Sequence, residues 1–277
     1  MLFYVKYDSI KFLIYQGKFN LARDMISCVY HRSERPNHII QHIEQSSRKE
    51  TSQISLKDSL TDPNYSKSTY IALGVIVFHE LTGENAILLY STEMFKRMAS
   101  HQDGYALSPR EGTILVGAFY LLAHIPAIYF IKKLNRRVLL IWGHVLIAIC
   151  HLMIGIFATT TYDSGVIAMV TIFMIIYVVT NGPIIWLYVS EIVVDAALGV
   201  CLFILWSVIL LLSLFTSPLM ESFLRPQGVF WIFGICSIGG AIFNYKYVKE
   251  TNGLNDKEKK LLYTPSMSEI RKKMLLS

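Results

Sequence analysis

Apolar and polar positions follow one another along this chain in long blocks. Six mainly apolar stretches are each long enough to cross a bilayer as a helix, which needs about 20 residues. These stretches are residues 69–92, 112–131, 138–158, 166–190, 196–220 and 228–248. Residues 1–68 and 249–277 contain no comparable stretch. The pattern predicts an all-α membrane protein with six transmembrane helices and both termini on the same side.

The distribution of Lys and Arg predicts the orientation of these spans. Residues 1–68 carry 10, the loop KKLNRR (132–137) carries 4 and the tail 249–277 carries 7, so 21 basic residues lie on the side of the termini. The opposite side has 4. Because loops that stay in the cytosol are rich in Lys and Arg, we expect both termini in the cytosol or an equivalent compartment such as the matrix. The net charge of +6 then reflects the basic residues that orient the spans. We therefore do not expect nucleic acid as a partner.

The two polar ends of the chain have different predicted structures. Asp8 or Ser9 can cap a short helix that ends near Gly17. Apolar residues then recur at helical spacing, which predicts an amphipathic helical hairpin: Phe19, Ala22, Ile26 and Val29. Residues 32–68 are rich in Ser, Gln, Glu and Lys, and this polar composition predicts an extended tether. Residues 255–277 predict a charged amphipathic helix with these apolar positions: Leu261, Leu262, Ile270 and Met274.

The first span contains the sequence FHELTGENA, residues 78–86, whose charges are costly in a bilayer. A continuous helix would stack Glu80 on Glu84, with His79 near the same face and Asn85 roughly opposite. Two carboxylates at that spacing need a proton or a cation. We expect Glu80, Glu84 and His79 to contact a partner subunit. A proton relay is one alternative, and a position of the glutamates nearer the membrane surface or water is another.

Motifs for enzyme or metal chemistry are not found in the sequence. The four cysteines form no CxxC pair, and HELTG lacks the second histidine of a zincin helix because Gly83 occupies that position. His144 and His151 share the third span and are expected to bond to backbone or water, although haem ligation together with His124 is an alternative. We therefore expect no enzymatic activity, no cofactor and no metal.

Five phrases resemble, in order, motifs of the sugar porters of the major facilitator superfamily. They are DSIKFLIYQGKFNLAR, HELTGENAILLYS, KKLNRRVLLIWG, GPIIWLYVSEI and VKETNG. The resemblance covers essentially the whole chain and corresponds to the family's spans seven to twelve with the cytoplasmic segment before them. It implies one six-helix half of a transporter whose substrate lies between two halves.

The resemblance also implies which residues would face a sugar. Asn85, Trp186 and Trp206 match or lie beside the family's sugar-binding positions, while His79 and Glu80 occupy the positions of its paired glutamines. Other polar positions are replaced, by Tyr120 in the second span, Val178 in the fourth and Leu205 in the fifth. The tryptophans of the family's sugar-binding site, the aromatic frame, are thus kept, while most of its polar side chains are replaced.

A gate is implied at the cytoplasmic end. Arg136, Arg137 and Glu191 match the residues whose ion pairs hold the family's outward-facing state. The basic residue usually found beyond Glu191 is absent, and the family's terminal PETKG motif is reduced to KETNG, so we expect a weakened gate.

These expectations favour a transport-inactive structural or accessory subunit, held by the lipid bilayer and by other membrane subunits of a larger complex. The alternative is half of a sugar transporter, or a fragment of a full one, that moves hexose-like solutes with a partner N-terminal half. An accessory subunit would suit the mitochondrial inner membrane, and a transporter would suit the plasma membrane.

Overall fold

A computed structural model describes residues 10–29, 40–41, 54–99, 108–160 and 162–265. The chain divides into two compact units, residues 1–54 and residues 55–277.

The first unit contains a short helical hairpin. Helix α1 (Ile10–Tyr15) and helix α2 (Phe19–Val29) are joined at Gly17, whose φ of 72° is a left-handed conformation that glycine adopts at little cost. Buried apolar side chains hold the hairpin together: Leu13, Ile14, Ala22, Ile26 and Ile40. The two helices agree with the hydrophobic spacing, although Phe19 is 38% exposed. The predicted caps Asp8 and Ser9 and the side chain of Val29 lie outside the described residues.

The second unit begins with a helix where the sequence predicted an extended tether. Helix α3 covers Leu56–Thr61, and the Ser55 side chain accepts a hydrogen bond from the Lys57 amide at its start. The hydroxyl of Thr69 donates to the Ser59 carbonyl, which fixes α3 on the helix that follows. The tether prediction is therefore wrong for residues 56–61, where an N-cap serine starts a helix, and for residues 66–68, which begin the next helix.

Within the part of the chain that the structure describes, six helical segments are long and apolar enough to cross a membrane. Span 1 consists of α4 (Ser66–Glu80) and α5 (Glu84–Ala99), and span 4 consists of α8 (Asp163–Val179) and α9 (Asn181–Ile192). The other spans are single helices: span 2 is α6 (Pro109–Lys133), span 3 is α7 (Arg136–Thr159), span 5 is α10 (Asp195–Glu221) and span 6 is α11 (Arg225–Tyr247). These bounds differ from the predicted stretches by at most three residues, except that span 1 continues to Ala99 and not to residue 92. A short helix, α12, covers Asp256–Lys260.

The spans differ in how deeply they lie within the bundle. Half or more of the most apolar window of spans 1, 3, 4 and 6 is buried, whereas spans 2 and 5 bury 17% and 11% of theirs. The exposed side chains of spans 2 and 5 are large and apolar, such as Leu121, Ile125, Phe203 and Leu214. These two spans therefore offer the surfaces that lipid or another protein would cover.

Spans 1 and 4 are each interrupted near the middle. In span 1 the helix stops at Leu81–Gly83, where Gly83 has a φ of 80°. In span 4 it stops at Thr180, just before Gly182 and Pro183. Pro183 has no amide hydrogen to donate to the preceding turn, which explains this interruption.

Candidate functional site

The interruption of span 1 places Glu80 at the end of one helix and Glu84 at the start of the next. The turn between them brings Asn85 back towards Glu80, and its Nδ2 donates to Glu80 Oε2 at 2.7 Å. The prediction of one continuous helix, with the two carboxylates stacked and Asn85 opposite, is therefore wrong. The left-handed backbone at Gly83 is the cause, because it breaks the helix between the two carboxylates.

The other polar side chains of this turn bond to neighbouring spans. His79 Nε2 lies 2.9 Å from the Tyr177 hydroxyl of span 4, and the Tyr120 hydroxyl of span 2 donates to Glu84 Oε1 at 3.2 Å. His79 Nε2 also lies 3.9 Å from Glu80 Oε1. The three side chains at residues 79, 80 and 84 are only 3%, 3% and 6% exposed.

This burial differs from the sequence-based expectation that His79 and Glu80 face a solute. His79 and Glu80, expected to contact a solute, lie beneath the surface, whereas Asn85 is half-buried. The hypothesis that Glu80, Glu84 and His79 contact another subunit stays a prediction. It would require them to exchange partners within the chain for partners outside it.

Sequence reasoning missed Tyr177 as a member of this cluster. The resemblance directed attention to position 178, where Val178 replaces an acidic residue, and Val178 is an ordinary core side chain. The adjacent Tyr177 supplies the polar group instead. A tyrosine within an otherwise apolar span, one residue from an expected polar position, was the available signal.

The two tryptophans of the predicted aromatic frame lie on the surface of the second unit. Trp186 in α9 is 48% exposed and Trp206 in span 5 is 65% exposed. Trp186 borders an apolar crevice whose other walls are residues of spans 1, 4 and 5: Ile76, Ile185, Val189, Leu198, Cys201, Leu202 and Leu205. Flat aromatic faces of this kind can stack on the apolar face of a sugar ring.

The predicted gate residues meet at the end of the bundle where spans 3 and 5 begin and spans 4 and 6 end. Arg136 Nη2 lies 2.8 Å from Glu191 Oε1. Lys259 of α12 lies 3.0 Å from the same oxygen, and the Thr251 hydroxyl donates to Glu191 Oε2 at 2.8 Å. Lys259 thus supplies a cation near the position where the basic residue after Glu191 was found missing.

Glu250, the glutamate of KETNG, caps the start of span 3. Its carboxylate accepts the backbone amides of Arg136 and Arg137 at 3.1 and 3.0 Å. An acidic side chain at this place satisfies amides that have no partner within the helix and complements the helix dipole. Arg137, expected to share the ion pair with Glu191, instead donates to the Tyr245 carbonyl at 2.8 Å.

The tail folds back onto span 4. The hydroxyl of Tyr263 bonds to that of Tyr188, donates to the Tyr247 carbonyl at 2.9 Å and accepts from the Lys249 amide at 2.8 Å. Burial raises the pKa of Tyr263 above its ordinary value. Only residues up to 265 of the predicted tail helix are described; there Leu261 is exposed, and Ile270 and Met274 lie outside the described residues.

Replacing Glu250 with alanine is expected to lower the free energy of unfolding by about 1–2 kcal/mol, because two amides of span 3 lose their cap. Thermal unfolding of the purified chain in detergent measures this. Asp256→Ala, at a side chain 98% exposed, is the control and should leave the unfolding temperature unchanged. Equal effects of both changes would show that the cap contributes nothing.

Comparison with known proteins gives these sites a family context. A family profile described as "Sugar (and other) transporter" matches residues 1–261. Hexose transporter 1 of Plasmodium falciparum (isolate 3D7) is 26% identical over 267 residues, covering 91% of this chain and 51% of that protein. The major myo-inositol transporter IolT of Bacillus subtilis (strain 168) is 28% identical over 230 residues, covering 78% of this chain and 47% of that protein.

Solved structures of the proton:xylose symporter XylE share the fold. The form with bound 6-bromo-6-deoxy-D-glucose matches with a TM-score of 0.75 at 24% identity, over 95% of this chain and 56% of that one. The inward open conformation of XylE from E. coli matches with a TM-score of 0.67 at 22% identity. This chain spans about half the length of the relatives it matches. From the profile match over most of its length and the shared fold, the chain belongs to the sugar porter family of the major facilitator superfamily.

Proposed function

We propose that this chain forms one wall of a sugar-transport pathway and works together with a second set of six spans. In transporters of this architecture the solute is held between two halves, which rock against each other to expose it to either side. The second half would belong to a partner chain or to the remainder of a longer polypeptide. The expected solutes are hexoses and related polyhydroxylated molecules.

The observation that carries the proposal is the exposure of Asn85, Trp186 and Trp206. These side chains come from spans 1, 4 and 5, and each is partly or largely exposed in the second unit. An amide that can pair with hydroxyls and two aromatic faces that can stack on a ring are the groups that sugar binding requires. Two interrupted spans beside them are typical of transporter binding sites.

The gate also supports a transport role. Arg136, Glu191 and Lys259 are joined by ion pairs between spans 3 and 4 and the tail. Such pairs can hold one conformation and break in another, which is the property that a two-state carrier needs. We propose that this network stabilises the conformation in which the end of the bundle near Glu191 is closed.

Sugar uptake tests the proposal. The chain would be expressed with a six-span N-terminal half of a sugar porter in cells that lack hexose uptake, and labelled hexose would be measured at several concentrations. We expect saturable uptake from the pair. No saturable uptake from any pair that assembles would contradict the proposal.

Trp186→Ala is expected to reduce that uptake about tenfold, since a lost stacking surface is worth about 1.4 kcal/mol. Trp142→Ala is the matched control, because Trp142 is 60% exposed on span 3, away from the crevice. It should transport like the unchanged chain. A similar loss from both changes would show that Trp186 has no special role.

The second candidate is a transport-inactive accessory subunit of a larger membrane complex. It is favoured by the burial of His79 and Glu80, which removes two polar groups from any solute-facing surface. The large apolar faces of spans 2 and 5 would then contact other subunits. Gentle detergent extraction followed by mass spectrometry distinguishes the two: an accessory subunit brings a large complex with it, and a transporter half brings at most six further spans.

The chain is an integral multi-pass membrane protein, and we propose the plasma membrane as its location in the transporter role. The mitochondrial inner membrane belongs to the accessory role. Membrane fractionation of cells that express the tagged chain checks this assignment.

A further inference from the structure

His151 of span 3 contacts the interruption of span 1. His151 Nε2 lies 2.8 Å from the carbonyl oxygen of Thr82, a contact between residues 69 apart in the chain. The histidine ring is 0% exposed, and Thr82 is equally buried. A buried carbonyl in an interrupted helix needs a donor, which water cannot supply in the middle of a bilayer.

The chemistry of the contact fixes the protonation of the ring. A carbonyl oxygen only accepts hydrogen bonds, so Nε2 must carry the hydrogen and donate it. The neutral ring then has a bare Nδ1, and this nitrogen is buried without a hydrogen-bond partner among the described residues. The His151 ring therefore donates one hydrogen bond, to the Thr82 carbonyl of span 1, while its Nδ1 has no hydrogen-bond partner among the described residues.

Aromatic side chains keep the ring in this orientation. The ring centroids of Phe173, Phe230 and Phe233 lie 4.7, 5.8 and 5.9 Å from that of His151. Phe233 also packs directly against Gly83, where an added Cβ would lie 2.6 Å from its ring. The same aromatic group thus contacts both the donor and the turn that it supports.

We propose that His151 is a positioning residue for the site in span 1. By fixing the Thr82 carbonyl it sets the path of the chain between Glu80 and Glu84, and so places Asn85 for its bond to Glu80 and for contact with a solute. The contact of Asn85 with a solute rests on the proposed transport function. The effect of His151 on the path of the chain does not depend on that function.

A purely structural role for His151 predicts a different response to substitution. If the ring serves only to fill space among Phe173, Phe230 and Phe233, then phenylalanine should replace it well. If its donor matters, then glutamine should replace it better, because the Gln amide nitrogen lies at about the reach of His Nε2 while the side chain is less apolar. His151→Phe and His151→Gln therefore separate the two roles.

Hydrogen exchange measured by mass spectrometry on the purified full chain provides the first test. In His151→Phe we expect amides of residues 81–87 to exchange at least tenfold faster, with exchange in span 6 unchanged. His151→Gln should stay within about threefold of the original rate. Thr216→Ala removes a buried hydroxyl that donates to the Leu212 carbonyl within span 5, and as the control it should leave residues 81–87 unaffected.

Sugar uptake with a partner half provides the second test. His151→Phe should raise the KM for hexose at least tenfold, with a smaller change in maximal rate, and His151→Gln should restore most of the loss. If the unchanged chain takes up no sugar, the transport proposal fails while the exchange measurement still tests the positioning. The positioning proposal is overturned if His151→Phe exchanges like the original chain, or if His151→Gln is as strongly perturbed as His151→Phe.

Discussion

Gly83→Ala is expected to lower the free energy of unfolding by about 2–4 kcal/mol. Gly83 has a φ of 80°, which an alanine adopts only at a cost of about 1 kcal/mol. Its added methyl group would lie 2.6 Å from the ring of Phe233, so the buried ring would have to move, at a further cost of about 1–3 kcal/mol. Chemical or thermal unfolding in detergent measures the total.

Gly253→Ala is the matched control for this change. Gly253 has nearly the same φ, 83°, but an added Cβ would have no neighbour within 4 Å. It should therefore show only the conformational part, about 1 kcal/mol. The difference between the two variants isolates the packing of Phe233 on the turn, and equal values for both would show that this packing adds nothing.

Asn85→Leu is expected to lower the free energy of unfolding by about 2–3 kcal/mol and to abolish sugar uptake. The change removes the amide that donates to Glu80 Oε2 at 2.7 Å and leaves a carboxyl group, 3% exposed, without that donor. An unsatisfied buried acceptor costs more than the bond itself contributed, because its lost hydration is no longer offset.

The double variant Glu80→Leu with Asn85→Leu tests this explanation. Replacing both members of a buried polar pair with apolar side chains is often close to neutral, so the double variant should be more stable than Asn85→Leu alone. A coupling of about 1–2 kcal/mol between the two positions is expected. Additive effects would show that Glu80 and Asn85 do not depend on each other. Uptake should stay absent in the double variant, because the amide is still missing.

The spans were predictable because their signal is strong and local. Twenty apolar residues in succession leave few alternatives to a membrane helix, and the helix bounds agree with the hydropathy blocks. The interruption of span 1 was not predicted, although Gly83 marked its position. A glycine within an apolar stretch is tolerated by a continuous helix, and what favours the left-handed turn here comes from residues distant in sequence, Phe233 and His151.

The partners of the charged residues were predicted less well for the same reason. The resemblance pointed to Arg136 and Glu191, and these two residues do meet. It gave no indication that Lys259, which lies beyond the VKETNG phrase, would join them, or that Glu250 within that phrase would cap span 3. Likewise, the cost of placing charges in a span pointed to partners outside the chain, whereas Tyr120, Tyr177 and Asn85 supply neutral partners within it.

The cap on span 3 has a consequence for the order in which this protein is assembled. The amide of Arg136 and the carboxylate of Glu250 are 114 residues apart. During synthesis, span 3 therefore emerges long before the group that completes its first turn. Three further spans must enter the bilayer in the meantime, so the bundle can be finished at this end only after the last of them has left the ribosome.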